Sequence, residues 1–545
     1  MNAKLAFPAL LVIAGFLIAG AFTVPLRESQ RIKGNPGANR PNVVIIMADD
    51  MGWSDTGPFG SEIPTPNLDA LAKNGVRFSQ FYNNARCCPT RASLLTGLNA
   101  HRAGIGQMAE DPGPNPKQHD WGTDGYRGFL NRHCVTIAEV LKTAGYHTYM
   151  TGKWHVGMHG QEKWPLQRGF ERYYGILAGA TSYFRPQGGR GLTLDNQPVQ
   201  PPADPNYYTT DAFTDYAIRF VTEQADENPF FLYLAYNAPH WPLQAKPADI
   251  ARFKDRYKVG WDIIRQERLT RQEKTGLVGK GQSLSARDKR VRPWQSLSAG
   301  EQDSTAYRMA VYAAQISSLD ENVGKLVASL KERGQFDNTL ILFLSDNGAC
   351  AETYNELGSS PMSLINNPDF SGAASYGIGW ANASNTPFFE YKVKSYEGGI
   401  RAPLIAHFPT LIRTTRGRIL TTRGHVTDLM PTILELAGAT YPGTFHEGQS
   451  IFPLEGRSLV PALQTGKQAD PDYMYWEHEW YGAVRKGNWK AVHDLRKGTW
   501  ELYNLGTDRI ESRNEAQNQS VLLADLQQHW QQWANTHAVL PKRLN

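Results

Sequence analysis

The sequence predicts an α/β fold. The expected core is a large, mainly parallel sheet sandwiched by helices. A smaller α+β domain follows, with an antiparallel sheet and a terminal helix. Three observations carry this. Short apolar runs such as Asn42 to Ala48 (NVVIIMA) suit strands buried on both faces, as parallel sheets require. Segments with helical spacing alternate with them, the mark of a sheet covered on both sides. Beyond Leu436 the pattern changes to strands joined by tight turns.

In chain order, residues 1–26 read as an export segment. Lys4 supplies positive charge, Leu5 to Leu26 is apolar, and Ala19-Gly20-Ala21 is a small-residue cleavage signal. The run is also just long enough to span a bilayer, so an uncleaved anchor is the other reading. Residues 27–40 are a polar linker, and 41–435 form the main domain. Within it Leu68 to Asn74 suits a helix, Val135 to Ala144 a helix ending at Gly145, and Tyr146 to Thr151 a strand. Phe230 to Tyr236 and Thr339 to Leu344 are further buried strands, and Ala306 to Lys331 is a long amphipathic helix. Residues 251–304 are charged and contain Gly and Ser, which predicts an insertion over the surface with room for short helices. In the C-terminal subdomain, 436–545, Gly482 to Asp494 and Thr499 to Leu505 read as antiparallel strands turning near Lys497-Gly498. Val521 to His537 reads as the terminal helix.

Composition narrows the function. With 545 residues the chain holds two domains or one elaborated domain. Hydrophobic residues at 41% and charged residues at 20% exclude a disordered or fibrous chain. A net charge of +5 suits a small anionic substrate, and no compact basic run marks a nucleic-acid binder. Cys87, Cys88, Cys134 and Cys350 are too few for a disulfide scaffold, and their pairing stays open.

Four polar clusters fall where predicted buried strands end, the place where ligands bind in such sheets. They are Asp49-Asp50, Lys153 with His155, His240, and Asp346-Asn347. The acidic pairs offer only hard oxygen donors, which suits Ca²⁺ or Mg²⁺. Any one of them alone reads as a helix cap or turn residue. Two pairs at equivalent strand ends point to a metal. Cys87-Cys88-Pro89-Thr90-Arg91 precedes a helical segment, so Cys87 is expected just before a helix N-terminus, where backbone N–H groups favour an anion. Arg91 adds a cationic fork. A buried structural cysteine is the alternative.

The run C-x-P-x-R followed by A-S-L-L-T-G resembles the type I sulfatase signature. Asn42 to Trp53, Thr151-Gly-Lys-Trp-His-Val-Gly, Asn237-Ala-Pro-His-Trp-Pro and Ser345-Asp-Asn-Gly resemble further motifs of that family. Asn385 through Pro403 resembles the lysine loop of bacterial arylsulfatases. The resemblance implies that Cys87 is oxidised by a maturation enzyme to 3-oxoalanine (formylglycine). It implies one calcium ion held by Asp49, Asp50, residue 87 (Cys87), Asp346 and Asn347. Arg91, Lys153, His155, His240 and Lys392 would complete the catalytic set for a small-molecule sulfate ester. Family spacing selects Lys392 over Lys394. His159 reads as a surface residue, His425 as structural, and Cys350 has no assigned role. The implied setting is the bacterial periplasm or the outside of the cell. Two alternatives stay open: a phosphodiesterase or phosphonate monoester hydrolase of the same superfamily, and a non-catalytic sulfate- or glycan-binding protein if Cys87 is never oxidised.

Overall fold

The computed structural model describes residues 40–108 and 123–539. The expected export segment, and the linker as far as residue 39, lie outside the described residues. Among those described, no helix is long and apolar enough to cross a membrane.

The large sheet is built from β1 (Asn42–Ala48), β2 (Val76–Tyr82), β3 (His147–Lys153), β4 (Arg172–Ile176), β5 (Leu192–Leu194), β6 (Gln197–Val199), β7 (Phe230–Ala235), β8 (Thr339–Ser345) and β9 (Arg401–His407). Two short strands, β10 (Ile419–Leu420) and β11 (Gly424–His425), pair with β2 at one edge. The order is β10-β2-β9-β8-β1-β7-β3-β4-β5-β6. β1 lies parallel between β7 and β8, and β3 runs parallel to β7 and β4. The expected parallel core is therefore present, in a sheet that is mixed: β9 runs antiparallel between β2 and β8, as do the pairs β4–β5 and β5–β6.

The unbroken apolar runs follow from the two covers. Val44, Ile46 and Ala48 of β1 face the helix Ala299–Glu332 with Leu232 and Leu234 of β7. Val43, Ile45 and Met47 point the other way, with Phe231 and Tyr233, toward the helices Ile137–Thr143 and Leu429–Ala437. Alternation along a strand thus fills both layers. Each fully buried side chain of this size contributes about 1.5–3 kcal/mol. Capping boxes start two of these helices, Thr136 with Glu139 and Ser298 with Glu301.

Gly152, in β3, explains why a glycine sits in a central strand. Its φ is +99°, and a Cβ there would come within 1.9 Å of the Ala235 carbonyl oxygen of β7. Gly152→Ala should lower unfolding free energy by about 3–5 kcal/mol, read by chemical denaturation.

Residues 251–304, expected as a surface insertion with short helices, are partly buried. They carry the helix Trp261–Lys274, which buries Trp261, Ile264, Arg268 and Gln272. The charges misled because one of them points inward and is paired. Arg268, fully buried, lies 2.6 Å from Asp55 and 2.8 Å from Glu62. Removing one partner of such a buried pair costs far more than an exposed pair contributes.

Past a small hairpin of β12 (Phe445–His446) and β13 (Gln449–Ser450), four antiparallel strands follow in order. They are β14 (Met474–His478), β15 (Tyr481–Lys486), β16 (Trp489–Asp494) and β17 (Thr499–Asn504). The single strand expected over Gly482 to Asp494 is two strands, turned at Gly487, whose φ is +57°. The helix Ser520–Thr536 covers this sheet through Leu526, Trp530 and Trp533. A buried ion cluster ties β16 to the segment entering β9. Lys490 Nζ lies 3.0 Å from Glu397 Oε1 and 2.8 Å from Glu511 Oε1. Arg401 Nη1 lies 3.1 Å from Glu397 Oε2.

Candidate active site

The register of β1 on β8 sets Ala48 against Ser345, so the two acidic pairs leave the sheet side by side. The backbone N–H of Asp50 donates to Asp346 Oδ1 at 3.1 Å, and Asn347 Nδ2 donates to Asp50 Oδ1 at 2.8 Å. Asp49, Asp50, Asp346 and Asn347 are all buried. Asp50 takes φ +64° and His155 +56°, left-handed conformations that few side chains tolerate and that aim both into the site.

Three buried carboxylates in contact need compensation. Burial pushes Asp49 well above the usual carboxylate range; Lys153 Nζ, 2.6 Å from Oδ2, opposes this, and neighbouring Asp346 adds to it. Burial acts on Asp50 in the same direction, but Lys392 and His240 outweigh it and hold Asp50 low. Asp49 Oδ1 and Asn347 Oδ1 are buried and accept no hydrogen bond, and the Arg91 guanidinium reaches Asp49 Oδ1 only at 3.9 Å. A hard divalent cation fits this donor set.

Cys87 is the first residue of the helix Cys87–Thr96, with Arg86 as the N-cap. The expectation that Cys87 precedes the helix is thus corrected by one position. The helix begins earlier because Pro89 tolerates the first turn, where its missing N–H has no partner to lose. Cys87 Sγ lies 3.4 Å from His155 Nδ1. Its thiol is held well below its usual range, first by the Cys88 side chain and then, against burial, by Lys153, His155 and Lys392. All four cysteines are free thiols.

Cations ring this point. Arg91 donates through Nε and Nη2 to Asp346 Oδ2 at 3.0 and 2.8 Å, and through Nη1 to the Lys153 carbonyl at 2.9 Å. Lys392 Nζ is 3.0 Å from Asp50. Lys394, the rejected lysine, rests instead on the Tyr481 ring, 3.5 Å from its centroid. His240 Nδ1 donates to the Trp241 carbonyl at 2.7 Å, which leaves Nε2, 3.3 Å from Asp50 Oδ2, as the ring's basic nitrogen. The Tyr183 hydroxyl fixes this loop by donating to the carbonyls of Asn237 and His240 at 2.8 Å each. Burial pushes His240 down to about 3. His425 caps the turn Val426–Asp428 through its side chain, the structural role expected of it.

Glu352, a member of the cluster, escaped the sequence reading. Glu352 Oε2 is 3.0 Å from Lys392 Nζ, and Glu352 Oε1 is 2.7 Å from Arg86 Nη1. Glu352 follows Asp346-Asn347 closely in a segment with no regular period, so only its charge beside a strand end marked it. Cys350, unexplained before, places its Sγ 3.5 Å from Glu352 Oε2.

The sulfatase family profile matches residues 41–439. An uncharacterized sulfatase of Schizosaccharomyces pombe is 36% identical over 90% of this chain and 93% of its own length. An arylsulfatase of Klebsiella aerogenes is 36% identical over 79% of this chain and 94% of its own. Among solved structures, Ps i-CgsB matches with a TM-score of 0.65 at 28% identity, over 91% of this chain and 93% of that one. A phosphonate monoester hydrolase of Agrobacterium radiobacter shares the fold, with a TM-score of 0.56 at 19% identity. By sequence over most of its length, the chain belongs to the sulfatase family and is a sulfuric ester hydrolase.

Proposed function

We propose that the protein hydrolyses sulfate monoesters, aryl sulfates foremost, with residue 87 oxidised to formylglycine and one calcium ion held by Asp49, Asp50, Asp346 and Asn347. The observation that carries this is the pair of buried oxygens that accept no hydrogen bond, Asp49 Oδ1 and Asn347 Oδ1, in the same cation-ringed cluster as Cys87. The arylsulfatase relative supports the choice of aryl esters.

Calcium, when bound, would offset the carboxylates and the negative sulfate oxygens. Oxidised residue 87 would supply, as its hydrate, a nucleophilic hydroxyl and a second hydroxyl through which sulfate is released. The chain's own residues do the rest. Arg91, locked by Asp346 and the Lys153 carbonyl, presents a fixed cation at the helix N-terminus. Lys153 and Lys392 add positive charge without reorganising, since each is already held by a carboxylate. His155 Nδ1, 3.4 Å from the residue 87 side chain, takes its proton. His240 delivers a proton to the leaving oxygen from Nε2. Because burial keeps His240 neutral alone, the substrate's negative charge must raise it before it can act as an acid.

The proposal includes a maturation enzyme that oxidises Cys87, and export, with the N-terminal segment either cleaved or kept as an anchor. Two measurements test it together. The peptide containing Cys87 should lose the thiol and gain an aldehyde by mass spectrometry. The purified protein should turn over aryl sulfates at least about a hundredfold faster, in kcat/KM, than aryl phosphodiesters. An intact thiol, or a preference for the diester, overturns the reading.

A further inference from the structure

We propose that Glu352 makes the site selective for singly charged sulfate esters over doubly charged phosphate monoesters and inorganic phosphate. This rests on the function proposed above for the identity of the ester. The geometry is unexpected for an anion site. Glu352 spends its carboxylate on two cations of the cluster: Oε1 lies 2.7 Å from Arg86 Nη1 and Oε2 lies 3.0 Å from Lys392 Nζ. Lys392 is already paired with Asp50 at 3.0 Å, so its charge is offset twice. The Glu352 side chain is 23% exposed, whereas Asp50 and Lys392 are 1% exposed. Glu352 therefore stands on the solvent side of the cluster, where an entering anion meets it.

The charge balance gives this placement its effect. In direct ion-pair contact Arg86, Arg91, Lys153 and Lys392 are matched by Asp49, Asp50, Asp346 and Glu352, so the positive excess of this set is only that of a bound divalent ion, and Glu479 acts on Arg86 besides. Without Glu352 one further positive charge faces the ligand. A sulfate monoester carries one negative charge. A phosphate monoester carries nearly two above pH 7, its second ionisation lying near pH 6. Repulsion from a fixed carboxylate scales with ligand charge, so Glu352 penalises the dianion about twice as strongly as the monoanion. Partial exposure screens the effect and keeps it to about tenfold. The same repulsion favours release of the product, which leaves as the sulfate dianion.

Glu352→Gln keeps the shape and removes the charge; Glu352→Ala is measured beside it, with melting curves to confirm folding. In both, the ratio of kcat/KM for 4-nitrophenyl sulfate to that for 4-nitrophenyl phosphate should fall about tenfold at pH 8. Inhibition by orthophosphate should tighten by a similar factor. A second arm needs no turnover: in a Cys87→Ala background with calcium present, calorimetry should show orthophosphate binding about tenfold tighter once Glu352 is Gln. Equal losses on both esters with unchanged phosphate affinity overturn the proposal and leave Glu352 as a positioning residue for Lys392. Unchanged kinetics and binding also overturn it. A wild-type enzyme inactive on aryl sulfates instead sinks the proposed function, and the phosphate titration still reads Glu352.

Discussion

Cys87→Ala is expected to lower kcat on aryl sulfates by on the order of 10⁵-fold or more, the scale on which enzymes lose a nucleophile. The fold should survive. Cys87 is small and 1% exposed, and alanine keeps its backbone and Cβ at the start of the helix Cys87–Thr96. Loss of one buried sulfur typically costs about 1 kcal/mol. The Arg91–Asp346 pair and the Lys153–Asp49 pair do not involve the thiol and should hold the site's shape. Turnover measured at high enzyme concentration, together with a thermal melt, checks both halves. Activity near wild type in a folded variant removes residue 87 from the reaction.

Removing calcium should have the second largest effect. Exhaustive chelation is expected to abolish turnover and to lower the melting temperature, and added calcium should restore both. The stability effect follows from linkage: calcium at about a hundredfold over its Kd stabilises the folded chain by about 2.7 kcal/mol, provided it binds only that state. The site gives the reason for such selectivity. Asp49 and Asp346 come from strand ends far apart in sequence and meet only when β1 and β8 pair. In the folded chain Asp49 Oδ1 and Asn347 Oδ1 accept no hydrogen bond. Full activity and an unchanged melt in chelator would remove the ion from both roles.

The parts of this fold that were legible in the sequence share one physical feature. β1, β7 and β8 are buried on both faces, so their runs admit almost nothing polar. The first polar residues after them are therefore conspicuous, and those residues form the site. β9 was hidden because it breaks that rule. Its sequence, RAPLIAH, buries Arg401 against Glu397 and His407 at the other end. The helix Trp261–Lys274 was hidden for the same reason: Arg268 reads as a surface charge until Asp55 and Glu62 are seen beside it. Glu352 belongs to this class too. Charges satisfied by distant partners carry no local periodic signal, whereas apolar strands do.

The ion cluster at Glu397 sets an order of assembly. Glu397 starts the short helix leading into β9, directly after the loop that carries Lys392, yet its partner Lys490 is synthesised 93 residues later. At ribosomal speed that gap lasts roughly 5–20 s. Until it closes, the loop lacks its anchor while residue 87 has long since emerged. That interval would give the maturation enzyme proposed above access to a side chain the finished protein buries.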